Sequence, residues 1–147
     1  MGASKPSNYG QYLKWSDTEG YETGTLKLED DAAHVNMGGD WHMPTSSQCQ
    51  ELIDNTTTAW TISDGVSGMT FTSKKDTSKF IFIPAAGAYR NDDQVYNVGN
   101  NGSIWSSTVS DFQEDYGQKL DIESSGVSLD TYGLPSDFKR TIRGVIG

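Results

Sequence analysis

The octapeptide GGDWHMPT, residues 38–45, sets the tightest limit on how this chain can fold. Gly38 and Gly39 accept the backbone angles that end a helix, and Pro44 cannot continue a hydrogen-bonded ladder. Thr45 followed three residues later by Gln48 is the pattern of a capping box. The stretch is therefore a corner between two helices. Upstream, Asp30 or Asp31 can accept from the free N–H groups of a first turn, and Ala32, Ala33, Val35 and Met37 supply the body. That predicts a short helix from about 31 to 37. Downstream, Cys49, Leu52 and Ile53 fall at i, i+3 and i+4 and give one apolar stripe. The spacing predicts a second helix from about 46 to 55. Trp41 and Met43, inside the corner, read as core.

After the second helix the pattern changes to strands and loops. TTAWTI and MTFTS are separated by the turn-rich SDGVSG. KFIFIP is a strand that Pro84 ends. Residues 85–103 are rich in Gly and Asn and read as a long loop, more than a compact domain usually carries. IWSSTV reads as a further strand. QKLDIES and GVSLDTY alternate with period two: Leu120, Ile122, Val127 and Leu129 point one way, and Asp121, Glu123, Ser128 and Asp130 the other. RTIRGVIG is expected to be a last strand with Ile142, Val145 and Ile146 buried. Before the first helix, YGQYLKW suggests a short strand or an edge. Helices first and antiparallel strands afterwards indicate an α+β class. The expected organisation is a single domain over 1–147, with 1–24 as lead-in and first strand and 25–147 as its body.

The bulk numbers exclude several functions. The 147 residues carry 11 basic and 20 acidic side chains, a net charge of −9. Nucleic-acid binding needs clustered cations to displace counterions, so no nucleic-acid partner is expected. No apolar run approaches a membrane span, and no membrane insertion is expected. The one cysteine, Cys49, excludes an internal disulfide and a multi-thiolate metal site. On the apolar stripe it reads as a small buried hydrophobe, with no base or cation nearby in sequence to activate it.

No catalytic apparatus stands out. The two histidines, His34 and His42, sit in the first helix and in the corner, and both read as packed or capping imidazoles. There is no Gly-x-Ser-x-Gly elbow, phosphate loop or dinucleotide fingerprint. Glu29-Asp30-Asp31 and Asn91-Asp92-Asp93 offer oxygens of the kind calcium takes. The first reads as helix-start electrostatics and the second as a solvated turn. No catalytic residue, metal or cofactor is assigned.

Several segments, in order, resemble the Fibrobacter succinogenes major paralogous domain family. They are LEDDAAHVNMGGDWHMPTSSQCQELIDN, AWTISDGVSGMTFTS, FIPAAGAYR, YNVGNNGSIWSST and TIRGVIG, running from about Thr25 to the C-terminus. The departures are His42 in place of Arg, Gly144 in place of Pro, Thr56 where a Cys is frequent, and an additional Ala88. The resemblance implies a C-type-lectin-like fold: two short helices early, then antiparallel sheets with long irregular loops. It is similar in this to the variable proteins of diversity-generating retroelements, which bind ligands through a face near the C-terminus. The calcium-dependent sugar motif of true C-type lectins is absent.

Carried onto this chain, the ligand-binding face would comprise Ser103, Gln118, Asp121, Glu123, Gly126, Ser128, Asp130, Tyr132, Asp137 and Lys139. Tyr132 is the expected aromatic anchor, and Trp105 reads as core. Ordinary solvated strands carry the same residue types, so this reading rests on the resemblance. The function it implies is a non-enzymatic module for adhesion or host recognition, extracellular, on a bacterial cell surface or phage virion. Its partner would be a protein or glycan, with a homo-oligomer also open. The alternative is a structural subunit or tip domain of a tail fibre or surface appendage.

Overall fold

The computed structural model describes residues 13–14, 21–22, 24–89, 94–112, 116–135 and 139–147. Three short strands, β1 (Leu13–Lys14), β2 (Tyr21–Glu22) and β3 (Thr25–Leu26), precede α1 (Ala32–Met37). β4 (Trp41–His42) and α2 (Ser46–Asn55) follow. Then come β5 (Thr56–Ser63), β6 (Val66–Ser73), β7 (Phe80–Pro84), β8 (Ala88–Tyr89) and β9 (Val95–Tyr96). The chain ends with β10 (Asn101–Val109), β11 (Tyr116–Glu123), β12 (Gly126–Pro135), β13 (Lys139–Arg140) and β14 (Val145–Ile146). The protein is α+β, mostly antiparallel strands with two short helices.

The corner works as its residues require. Asp31 caps α1, its Oδ1 accepting from the N–H groups of Ala33 and His34 at 2.9 and 3.0 Å. The same carboxylate reaches across the corner and accepts from Met43 N–H at 2.9 and 3.0 Å. One buried side chain thus starts the helix and fixes the strand that returns past it. Gly38 ends α1 at φ 69° and donates to the His34 carbonyl. Thr45 and Gln48 close the capping box of α2. Met43 is fully buried, whereas Trp41 is half-buried.

The strands form a five-stranded sheet in the order β12-β11-β10-β3-β2, a three-stranded sheet β5-β6-β7, a four-stranded sheet β1-β13-β8-β9 and the pair β14-β4. The five-stranded sheet is covered on both faces. Leu120, Ile122 and Ile104 pack with Cys49 of α2 and with Met69, Phe71 and Ile83 of the three-stranded sheet. Trp105, on the opposite face of β10, packs with Leu26, Ala33, Met43 and Ile142. The period-two pattern of β11 and β12 is realised, since Val127 and Leu129 join the first cluster.

Three expectations need correction. The turn between β5 and β6 is only Asp64-Gly65, so both strands run longer than read. Asp64 takes φ 50° and Gly65 φ 80°, the angles a two-residue hairpin turn demands. The C-terminal segment is not one buried strand. Thr141 makes an isolated bridge to Ile104, and β14 pairs with β4. Ile142 is buried but Ile146 is 60% exposed, because a two-residue strand on the edge of a two-stranded ribbon has nothing to cover it. The loop over 85–103 contains the short pair β8-β9. Asn91-Asp92-Asp93 lie outside the described residues.

Candidate functional site

The outward rows of β10, β11 and β12 follow from their register. Trp105, Lys119 and Asp130 stand side by side, then Ser103, Asp121 and Ser128, then Asn101, Glu123 and Gly126. This surface is graded. At one end Trp105 and Lys119 are buried; at the other Glu123 and Ser128 are exposed.

Lys119 is the hinge of the gradient. Only 7% exposed, its ammonium is held by the carboxylates of Asp121 and Asp130, the latter at 3.1 Å. A cation so far out of water requires partners. Asp121 also accepts from the Ser103 hydroxyl. Asp130 Oδ1 accepts from the N–H groups of Tyr132 and Gly133, both at 3.0 Å. Burial pushes the Asp130 carboxyl up, but the Gly133 N–H, the Lys119 ammonium and the Tyr132 N–H outweigh it and leave it below the usual range. Beside this network the Arg140 guanidinium lies 5.9 Å from the centroid of the Trp105 ring, within cation–π reach.

The candidate residues thus separate. Ser103, Asp121, Asp130, Glu123, Gly126 and Ser128 share the outward face, the first three inside the Lys119 network. Gln118 does not face out: it is 3% exposed. It lies two residues from Leu120 on the same side of β11, and its amide donates to the Val109 carbonyl and to Asp111 at 2.9 and 3.3 Å. Lys139 lies in β13, opposite Lys14 and Tyr89, in a different sheet from the rest. Asp137 lies outside the described residues.

Tyr132 is 68% exposed, and beside it stands a residue that the sequence did not single out. Phe112 is 69% exposed, its ring centroid 5.9 Å from that of Tyr132 and the planes tilted by 56°. The segment carrying it is pinned to β12: Asp111 N–H donates to the Thr131 carbonyl at 3.0 Å, and Ser110 Oγ donates to the Tyr132 carbonyl. Phe112 N–H donates to Ser110 Oγ at 2.9 Å. The only signal in sequence was one large apolar residue in the polar run Ser110-Asp111-Phe112, which no periodicity accounts for.

The histidines are held by backbone oxygens. His34 Nδ1 lies 3.2 Å from the Trp41 carbonyl. His42 Nδ1 lies 2.6 Å from the Met43 carbonyl, and its Nε2 3.0 Å from the Gly147 oxygen. Cys49 is buried, and desolvation pushes its thiol up to about 11, so it holds its proton near neutrality. Among the described residues, no group of three or more His, Cys, Asp or Glu could hold a metal ion. No helix there is long and apolar enough to cross a membrane. Comparisons with protein families, with curated proteins and with solved structures return no match.

Proposed function

We propose that this protein is a non-enzymatic recognition module of C-type-lectin-like fold. It binds its partner at the end of the five-stranded sheet that carries Phe112 and Tyr132. The observation behind this reading is the pair itself. Two large rings stand exposed side by side, on a segment tied to its neighbour by backbone hydrogen bonds. Aromatic side chains offer contact area at little entropic cost, and a pinned loop loses little freedom on binding. Exposed Asp111 borders the rings and suits hydroxyl or cationic groups. A glycan, which presents both apolar C–H faces and hydroxyls, or a basic protein surface fits such a border. The sequence resemblance supports the same class of function, on a bacterial cell surface or a virion.

The test is the double variant Phe112→Ala/Tyr132→Ala in glycan-array and bacterial-cell pull-down assays. The rings are exposed, so the melting temperature should move little while binding falls. Binding that survives both changes rules out this end of the sheet. The exposed pair also favours one second reading, a contact with another subunit of an appendage. Light scattering showing a stable assembly that the double variant dissociates would select it.

A further inference from the structure

A concavity lies between α2, the three-stranded sheet and the C-terminal segment. It has a volume of about 350 Å³, within the range of small-molecule sites. Its walls are mainly apolar, with Leu52 of α2, Ile81 and Ile83 of β7, Ile104, Leu120 and Val145, and Gln48, Asn55, Thr56 and Ser73 add polar groups. The concavity is open to solvent, so an apolar ligand entering it would remove apolar surface from water. Arg143 also lines the cavity. The residue as a whole is exposed, so its guanidinium stays open to an incoming ligand, while partial burial pulls it below its ordinary value. Among the described residues no carboxylate lies within ion-pair distance of Arg143, and it has no hydrogen-bond acceptor. Glu51 lines the same cavity without pairing to it.

We propose that this cavity binds a small monocarboxylic acid with an apolar body, its carboxylate on the Arg143 fork and its body against Leu52, Ile81 and Leu120. The planar guanidinium matches a carboxylate with two parallel hydrogen bonds. Phosphate would fit the fork as well, but Glu51 in the same lining disfavours a doubly charged head more than a singly charged one. The body is expected to be alkyl or a single ring, because Leu52, Ile81, Ile83, Ile104, Leu120 and Val145 give the lining its largest apolar surfaces. Cys49, the only cysteine, lines the cavity and serves as a reporter of occupancy.

Calorimetry on the intact chain with octanoate, octanol and octylamine tests this. Octanoate should bind saturably, about tenfold tighter than octanol, with octylamine weakest, since a charged hydrogen bond distinguishes the heads. Arg143→Gln should remove the preference for octanoate and leave octanol unaffected. Octanoate should also slow the reaction of Cys49 with a small thiol reagent at pH 9 in the unmodified protein. The proposal fails if octanoate does not bind, if it binds no better than octanol, or if Arg143→Gln retains the preference. Binding that leaves Cys49 unprotected places the ligand elsewhere and overturns it equally. None of these outcomes bears on the Phe112–Tyr132 surface.

Discussion

Asp31 concentrates more structural consequence than any other single side chain in the corner. Its carboxylate caps α1 and satisfies the buried N–H of Met43. Asp31→Ala removes the cap, worth about 1 kcal/mol, and strands the Met43 donor, worth roughly 1–3 kcal/mol. Urea denaturation should show a loss of about 2–4 kcal/mol; a loss below about 1 kcal/mol would mean that water replaces the carboxylate. The N-cap role of an acid here was legible in sequence, but its second role was not, because the Met43 contact spans the corner. Cys49 offers a residue-scale test in pH. Its thiol titrates ordinarily near 9.0 and in the folded chain near 11. Below pH 9 both states keep the proton and the contribution is constant. Between pH 9 and 11 the unfolded chain ionises and the folded one does not, so stability is lost as pH rises. The loss is on the order of 2–3 kcal/mol. Subtracting the denaturation curve of Cys49→Ala from that of the unmodified protein isolates it; a difference that stays flat across that window would show the thiol to be solvated.

At the scale of elements, both helices were readable because their punctuation is local. Gly38, Thr45 and Gln48 act within a few residues of themselves. The β11–β12 pattern was readable because Leu120, Ile122, Val127 and Leu129 repeat with the period of the pleat. What period two cannot say is whether an outward polar residue meets water. Read from sequence, Asp121 and Asp130 are solvated strand positions, and removing them should cost nothing. In the structure they neutralise Lys119, whose position opposite Trp105 places it under the second core cluster. Replacing both with Asn should therefore destabilise the chain by roughly 3–5 kcal/mol, the cost of an unpaired buried charge. Adding Lys119→Met should recover most of it, which a double-mutant comparison of denaturation midpoints would show. If Asp121→Asn/Asp130→Asn leaves the midpoint in place, Lys119 has an escape to solvent. The corollary for function is that these two acids are poor probes of binding, since their loss disturbs the sheet. Phe112 and Tyr132 are better ones, and of these only Tyr132 lay on a periodic strand that sequence could orient.

Across the whole molecule, the five-stranded sheet is the shared wall of two cores. Cys49, Phe71 and Ile122 lie on one side, and Met43, Trp105 and Ile142 on the other. The bulge in β10 between Trp105 and Val109 ties the two together. There Ser106 Oγ donates to the Gln118 carbonyl at 2.9 Å, and Ser107 N–H donates to the Pro44 carbonyl at 2.8 Å. Ser46 N–H at the start of α2 donates to Thr108 Oγ1 at 2.9 Å. The run Trp105-Ser106-Ser107-Thr108 thus fastens the corner to the sheet, which no local rule would have shown. Short strands contributed from distant parts of the chain, such as β3 and β4, were equally hidden, because a two-residue strand has no period to read. The shared wall predicts a single cooperative unit. Met43→Ala opens a cavity in the second core and should cost about 2–5 kcal/mol. If the wall couples both sides, the slowest-exchanging amides of β6, in the first core, should lose protection by the same free energy. Hydrogen exchange read residue by residue would decide it. Unchanged protection at Met69 and Phe71 would mean that the three-stranded sheet and α2 stand without the corner. The chain would then be two foldons meeting at β10, and the ligand cavity beside Cys49 would survive loosening of the opposite face.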